Sequence, residues 1–149
     1  MEFSGSRIIN ADRQTVWQAL NSADVLRQSV PGCTELNGDP DSGYEAEIVQ
    51  KVGPLKVKMR GKISLENIVA NESYTIVGEG QGGAAGFAKG GADVRLSDAE
   101  EGTELSYTAT VKIGGKLAQL GSRLIDGFAR KATDQFFTAF KEAVETAEN

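Results

Sequence analysis

Three phenols, one thiol and no imidazole bound the chemistry this chain can perform. Tyr44, Tyr74 and Tyr107 are its only tyrosines, Cys33 its only cysteine, and histidine is absent from all 149 residues. Without histidine there can be no Ser-His-Asp triad, no Cys-His pair and no imidazole-ligated metal. One cysteine rules out an intrachain disulfide and a thiolate zinc site within one chain. Nothing near Cys33 in sequence would lower its pKa, so it is expected to be a small buried filler. Asp24, Asp93 and Asp134 do not form the paired carboxylates of a hydrolase. The glycines from Gly80 to Gly91 are not a phosphate cradle, because no Gly-x-Gly-x-x-Gly opens a helix and no Lys-Ser/Thr pair follows. What remains is the phenols, any of which, if buried, can hydrogen-bond the carbonyl of an apolar ligand. The sequence implies no cofactor and no metal.

The elements that must position these groups are strands, followed by one helix. From Gly114 onward apolar residues recur at Leu117, Leu120, Leu124, Ile125, Phe128, Ala132, Phe136, Phe137, Phe140 and Val144. Steps of three and four predict one buried helical stripe. At 1.5 Å per residue such a helix is roughly 45 Å long, too long to cover its apolar face against one flat neighbour. The strands before it must curve around it, and a curved sheet gripping a helix tends to leave a hollow between them.

Those strands are legible from their alternation. Met1 to Asn10 reads as a first strand of ambiguous phase, because Arg7 would share a face with Phe3 and Ile9. Asn10 or Asp12 then starts a short helix carrying Val16, Trp17, Ala19 and Leu20. A second runs from Ser22 or Ala23 to Ser29, stopped by Pro31-Gly32. From Cys33 to Ile113 the period is two, with turns predicted at Asn37 to Gly43 and at Asp98 to Thr103. Val57, Met59, Gly61, Ile63 and Leu65 alternate with Lys56, Lys58, Arg60 and Lys62. If Gly53-Pro54 is a hairpin loop, Glu47 lies opposite Arg60 and Glu45 opposite Lys62, pairs worth a few tenths of a kcal/mol each. With Lys51, these cations form an outward basic stripe, read as a solvated, Glu-paired face rather than a lipid contact.

A length of 149 residues suits a single domain spanning 1–149. The 40% hydrophobic and 25% charged residues are ordinary for a soluble protein, and the net charge of -5 argues against nucleic-acid binding. The N-terminus has no signal-like region and no stretch reaches transmembrane length, so a cytoplasmic location is expected.

The order strand, two short helices, about six meandering strands and one long helix comes with specific motifs. These are Val-Trp in the first helix, Val-Pro-Gly-Cys after the second, the glycine run from Gly78 to Gly91, and Gly-Gly-Lys-Leu-Ala-Gln-Leu-Gly-Ser-Arg-Leu-Ile from Gly114 to Ile125. Together they resemble the carbon monoxide dehydrogenase G-subunit family. That family is a branch of the START-like, polyketide cyclase (helix-grip) superfamily. The resemblance implies an α+β fold, with a strongly curved antiparallel sheet of about seven strands wrapped around one long C-terminal helix. It also implies a non-enzymatic accessory role for a molybdenum hydroxylase-type dehydrogenase, in membrane recruitment or quinone coupling, with a quinone or lipid as ligand. Many such proteins attach to membranes through a C-terminal extension. This chain ends polar at Thr146-Ala147-Glu148-Asn149, so contact with the inner face of the membrane is expected to be peripheral at most.

On this reading Met59, Ile63, Tyr74, Phe87, Leu105, Tyr107, Leu120, Leu124 and Phe128 converge on one space, as ligand lining or as solid core. Gly53, Pro54, Leu55, Gly83 and Gly86 flank its entrance, and the glycine-rich hairpin is either strongly bent or a flap at that entrance. Gly121 and Gly127 weaken the long helix by about 1 kcal/mol each, for close packing, a kink or ligand space. Two other classes stay open. One is a cyclase-like enzyme using Tyr107 or Arg7 in the same pocket; the other is a docking module with a filled core, and a homodimer is compatible with each.

Overall fold

Two short polar side chains set the start of the chain's first helices. The computed structural model describes residues 1–147, and the polar terminal pair Glu148-Asn149 lies outside them. After strand β1 (Glu2–Ile9), the Asp12 carboxylate accepts from the Thr15 amide at 2.8 Å and caps helix α1 (Arg13–Leu20). The Ser22 hydroxyl accepts from the Val25 amide at 3.3 Å and caps α2 (Ala23–Ser29). Strands β2 (Cys33–Asp39), β3 (Gly43–Val52), β4 (Leu55–Val69), β5 (Ser73–Gln81), β6 (Phe87–Ala99) and β7 (Gly102–Gly114) then form a meander. A short 3-10 turn at Gly83–Ala85 joins β5 to β6. Helices α3 (Lys116–Gln119) and α4 (Ser122–Ala147) follow.

All seven strands lie in one antiparallel sheet of order β1-β7-β6-β5-β4-β3-β2. β1 returns beside β7, pairing Phe3 with Ala109 and Arg7 with Leu105. This resolves its phase: Arg7 does share the inward face with Phe3 and Ile9. The β3–β4 register is the expected one, with Glu47 opposite Arg60 and Glu45 opposite Lys62. Arg60 reaches Glu47 at 3.1 Å and also Glu35 of β2 at 3.2 Å, so the basic stripe is partly charge-paired. The sheet curves around α4 in the helix-grip arrangement.

Three expectations need correction. β2 runs on through Asp39, so its turn shortens to residues 40–42, where the Asp39 carboxylate accepts from the amides of Asp41 and Ser42. β6 and β7 are joined by residues 100–101 alone. The terminal helix is not continuous: it breaks at Leu120-Gly121, where Gly121 takes φ +93°, a conformation glycine adopts at no steric cost. α4 itself is about 39 Å long. Gly127 stays helical, and a side chain there would meet nothing within 4 Å, so neither glycine serves close packing.

The buried residues form three clusters rather than one. Phe137, Phe140 and Val144 of α4 pack with Ile9, Val16, Leu20, Tyr74, Leu96 and Leu105. At the opposite end Leu117, Leu120 and Phe128 pack with Val52, Val57 and Ala85. Leu36, Tyr44 and Ala46 form a third group, with Cys33 against it. Burial raises the Cys33 thiol pKa, opposed by its contact with the Glu35 carbonyl and by the Arg27 charge. α4 is thus held at its two ends.

Phe140 is fully buried, so Phe140→Ala should cost about 3–5 kcal/mol in a denaturant titration; a loss below about 1 kcal/mol would show that α4 does not seat as described. Tyr44 supplies a pH test. Its hydroxyl donates to the Asn21 carbonyl at 2.7 Å, and burial, with the Asp39 charge adding, pushes its pKa up to about 12. A pKa raised on folding gives stability that is complete below the unfolded value near 10 and is lost as pH climbs through about 12. Urea midpoints should therefore fall between about pH 10 and 12, and fall less in Tyr44→Phe. Identical profiles for the two proteins would place this phenol in solvent.

An apolar cleft between the long helix and the sheet

The inward face of the sheet carries a band of small residues across β3 to β7. Ala46, Gly61, Gly80 and Ala88 follow one another across β3 to β6. Gly78 faces Gly90, and Ala92 faces Ala109. These glycines serve two purposes. A side chain on Gly90 would collide with the Thr110 carbonyl, and one on Gly61 would come within 2.9 Å of the Glu79 carbonyl. There the neighbouring backbone is close, as a sharply curved sheet requires. Gly78 and Gly80 are different, since a β-carbon on them would make only ordinary contacts with Ile63 and Met59 at 3.6 and 3.4 Å. Their lack of a side chain creates space rather than relieving a clash.

The helix answers with small residues of its own, Ala129, Ala132 and Thr133. Between the helix and the Ala92 and Ala109 part of this floor lies a cleft of about 500 Å³, within the usual range for small-molecule sites. Phe3, Leu36, Ile63, Leu65, Ile76, Leu105, Phe136 and Phe137 are among its walls, and no charged side chain lines it. A second hollow of about 360 Å³ shares Ile63, Ile76, Ala92, Ala109 and Val111 with it and extends over the glycines to Met59 and Ile48. The two make one trough along the sheet floor. Another hollow, of about 640 Å³, is elsewhere. It lies on the outer face and is lined by Asn37, Ser42, Glu45, Lys62, Glu79 and Lys89. It is charged and no helix covers it, so the cleft under α4 is the better candidate ligand site.

Of the residues predicted to line the space, Ile63, Tyr74, Leu105 and Tyr107 border the cleft and Met59 the adjoining trough. The others lie elsewhere. Phe87 is out of phase with Ala88, Gly90 and Ala92, and its ring lies against Gly114. Leu120 and Phe128 belong to the cluster at the hairpin end. Leu124 is 36% exposed and covers Gly53 at the β3–β4 turn. Among the expected entrance residues, Gly53 and Pro54 thus form a hairpin tip beside the helix, and Leu55 opens β4 against the hairpin-end cluster. Gly83 and Gly86 bound the short 3-10 turn, where Gly86 approaches the backbone of Gly114 and Gly115. This hairpin is bent and docked. Tyr44 is one of the phenols the sequence singles out, and Ala132, Phe136 and Phe137 belong to its apolar stripe, but none was placed in the lining; Ala129 and Thr133 were not foreseen at all. The signal was present at Ala132, one turn beyond Phe128, where the stripe turns small.

The cleft's chemistry is that of three phenols in an apolar wall. Tyr44 is satisfied by Asn21. Burial pushes the Tyr74 pKa well up, and its ring packs against Trp17 at 5.2 Å. Tyr107 stacks on Phe137 at 5.7 Å. With their pKa values raised, Tyr44 and Tyr74 keep their protons at neutral pH and are poor bases; the Tyr44 proton is already given to Asn21, so Tyr74 is the one of the two with a donor to offer.

Solved structures with this arrangement are numerous. A conserved protein from Geobacillus kaustophilus is 24% identical, with a TM-score of 0.91 over 99% of this chain and 97% of that one. A Thermus thermophilus protein is 14% identical with a TM-score of 0.73, all of both chains being covered. A Chromobacterium violaceum protein is also 14% identical, with a TM-score of 0.70 over 97% of each chain. At these identities the likeness concerns the fold. No curated protein matches the sequence. The profile of one family does, over residues 5–145. By that match, across nearly its whole length, the chain belongs to the carbon monoxide dehydrogenase G-subunit (CoxG) family.

Proposed function

We propose that this protein holds one hydrophobic small molecule, quinone-like or lipid-like, in the trough between α4 and the sheet. We further propose that it acts as a non-enzymatic accessory factor of a carbon monoxide dehydrogenase-type molybdenum hydroxylase, in membrane recruitment or quinone coupling. The family supports the second part. The observation that carries the first is the space left where both sheet and helix present small residues, although glycine inside a strand costs about 0.5–1 kcal/mol relative to alanine. The absence of charged groups from the cleft wall favours holding a molecule over transforming it. Among the described residues no helix is long and apolar enough to cross a membrane, so membrane recruitment would be peripheral. It would suit the β3–β4 hairpin, where Lys51 faces Lys56 near the tip.

Native mass spectrometry of protein purified from its own host should show a bound apolar molecule released by organic solvent. Gly78→Val and Gly80→Val should narrow the trough and reduce that occupancy several-fold, while leaving the melting temperature unchanged or slightly higher. A wild-type protein without adduct that still binds the dehydrogenase tightly would leave only a docking role. Phe128→Ala tests the division between site and core. It should cost about 1–2 kcal/mol as a half-buried side chain packed against the hairpin-end cluster, with little change in ligand affinity per folded molecule.

A further inference from the structure

The cleft does not close at the edge of the sheet. Between β1 and α4 lies a hollow of about 520 Å³ that shares Phe3, Tyr107 and Thr133 with the cleft but is otherwise lined by polar and charged residues, Arg7, Arg130 and Asp134 among them. Arg7 marks the boundary. It stands on the inward face of the edge strand, with its guanidinium 5.1 Å from the centre of the Phe137 ring, which is itself a cleft wall. An apolar residue at this position would continue the wall and seal the edge. The guanidinium is held by the Asp134 carboxylate at 2.8 Å and the Ser6 carbonyl at 3.1 Å, which leaves it further donors. Arg130, one turn before Asp134 on α4, pairs with no carboxylate among the described residues. Gly5 gives the Tyr107 hydroxyl room to reach the edge strand, and that hydroxyl makes no hydrogen bond among the described residues. Glu2, also at the hollow, is the second acidic group there.

We propose that this gap is the mouth of the site. There Arg7, Arg130 and the Tyr107 hydroxyl bind the oxygen-acceptor head of an amphiphile, a carboxylate or a ring carbonyl, whose apolar tail fills the cleft. The inference rests on the reading of the cleft as a ligand site. Guanidinium groups bind such oxygens through charge-assisted, often paired hydrogen bonds. Asp134 occupies Arg7 when no head is present, and a carboxylate head would compete with it. The ligand is therefore oriented, head toward β1 and α4.

The test is displacement of Nile red by three probes of similar tail: dodecanoate, a decyl-tailed benzoquinone, and dodecane, which has no head. Arg7→Gln should weaken at least one headed probe by about tenfold and leave dodecane within about twofold. Arg130→Gln and Tyr107→Phe should act in the same direction by smaller factors. A fall for dodecanoate alone assigns a carboxylate head, and a fall for the quinone alone a carbonyl head. Asp134→Asn separates recognition from folding. Both Arg7→Gln and Asp134→Asn break the ion pair, so a merely structural pair gives losses in both, whereas a binding mouth gives tighter binding in Asp134→Asn of whichever headed probe Arg7→Gln weakens. Equal losses for headed probes and dodecane, or no loss for any, would overturn the mouth while keeping the cleft. If no probe displaces the dye from the wild-type protein, the cleft reading fails as well.

Discussion

A helix fastened at both ends over a floor too low to meet its middle is the constraint on which the rest of this molecule depends. Phe137, Phe140 and Val144 anchor one end of α4, and Leu117, Leu120 and Phe128 anchor the other end of the terminal segment. The break at Gly121 lets α3 and α4 follow separate directions, so the second anchor can dock beside the β3–β4 hairpin without dragging the middle of α4 onto the sheet. The glycines of β4 to β6 deepen the floor in two ways. Gly61 and Gly90 allow the strands to approach closely and curve, and Gly78 and Gly80 omit side chains that would fill the hollow adjoining the cleft.

Magnitudes argue against this space being dry and sealed. At about 24 cal/mol per Å³, an empty apolar cavity of 500 Å³ would cost about 12 kcal/mol, comparable to the whole stability of an ordinary domain. The structure avoids that penalty only if the space connects to solvent or is occupied. The gap beside β1, if it is the mouth proposed above, would provide the connection. An apolar occupant would then restore contacts across the space, and binding would stabilise the folded state by mass action.

Period and charge made the sheet legible in the sequence. Alternation in β3, β4, β6 and β7 gave the correct inward faces, and the opposition of Glu45 and Glu47 to Lys62 and Arg60 fixed the register. Composition could not say how the helix is divided. The apolar stripe runs unbroken through Leu120, Leu124 and Phe128, and a stripe records which side of a helix is buried, not against what. The left-handed Gly121 sets Leu117 and Leu120 apart from α4, yet Phe128 within α4 still serves the hairpin cluster, and the roof of the cleft begins only at Ala129. Phe87 was misplaced for a related reason: after the 3-10 turn at Gly83–Ala85 the strand resumes with Ala88 inward, and the period restarts at a point that no residue type announces.

Arg7 shows how an apparent conflict in a sequence can be informative. A cation in phase with Phe3 and Ile9 weakens the assignment of a first strand if burial is the only use of an inward face. The conflict disappears once the inward face of an edge strand is seen to border an opening. There the side chain lays its charge over Phe137, meets Asp134 of α4 and remains about one-third exposed. The ion pair adds little stability at that exposure, and a branched apolar residue would have packed the edge more firmly. Its presence therefore makes most sense as a device that keeps the edge polar and openable, on one of the two edge strands, each of which has a partner on one side only.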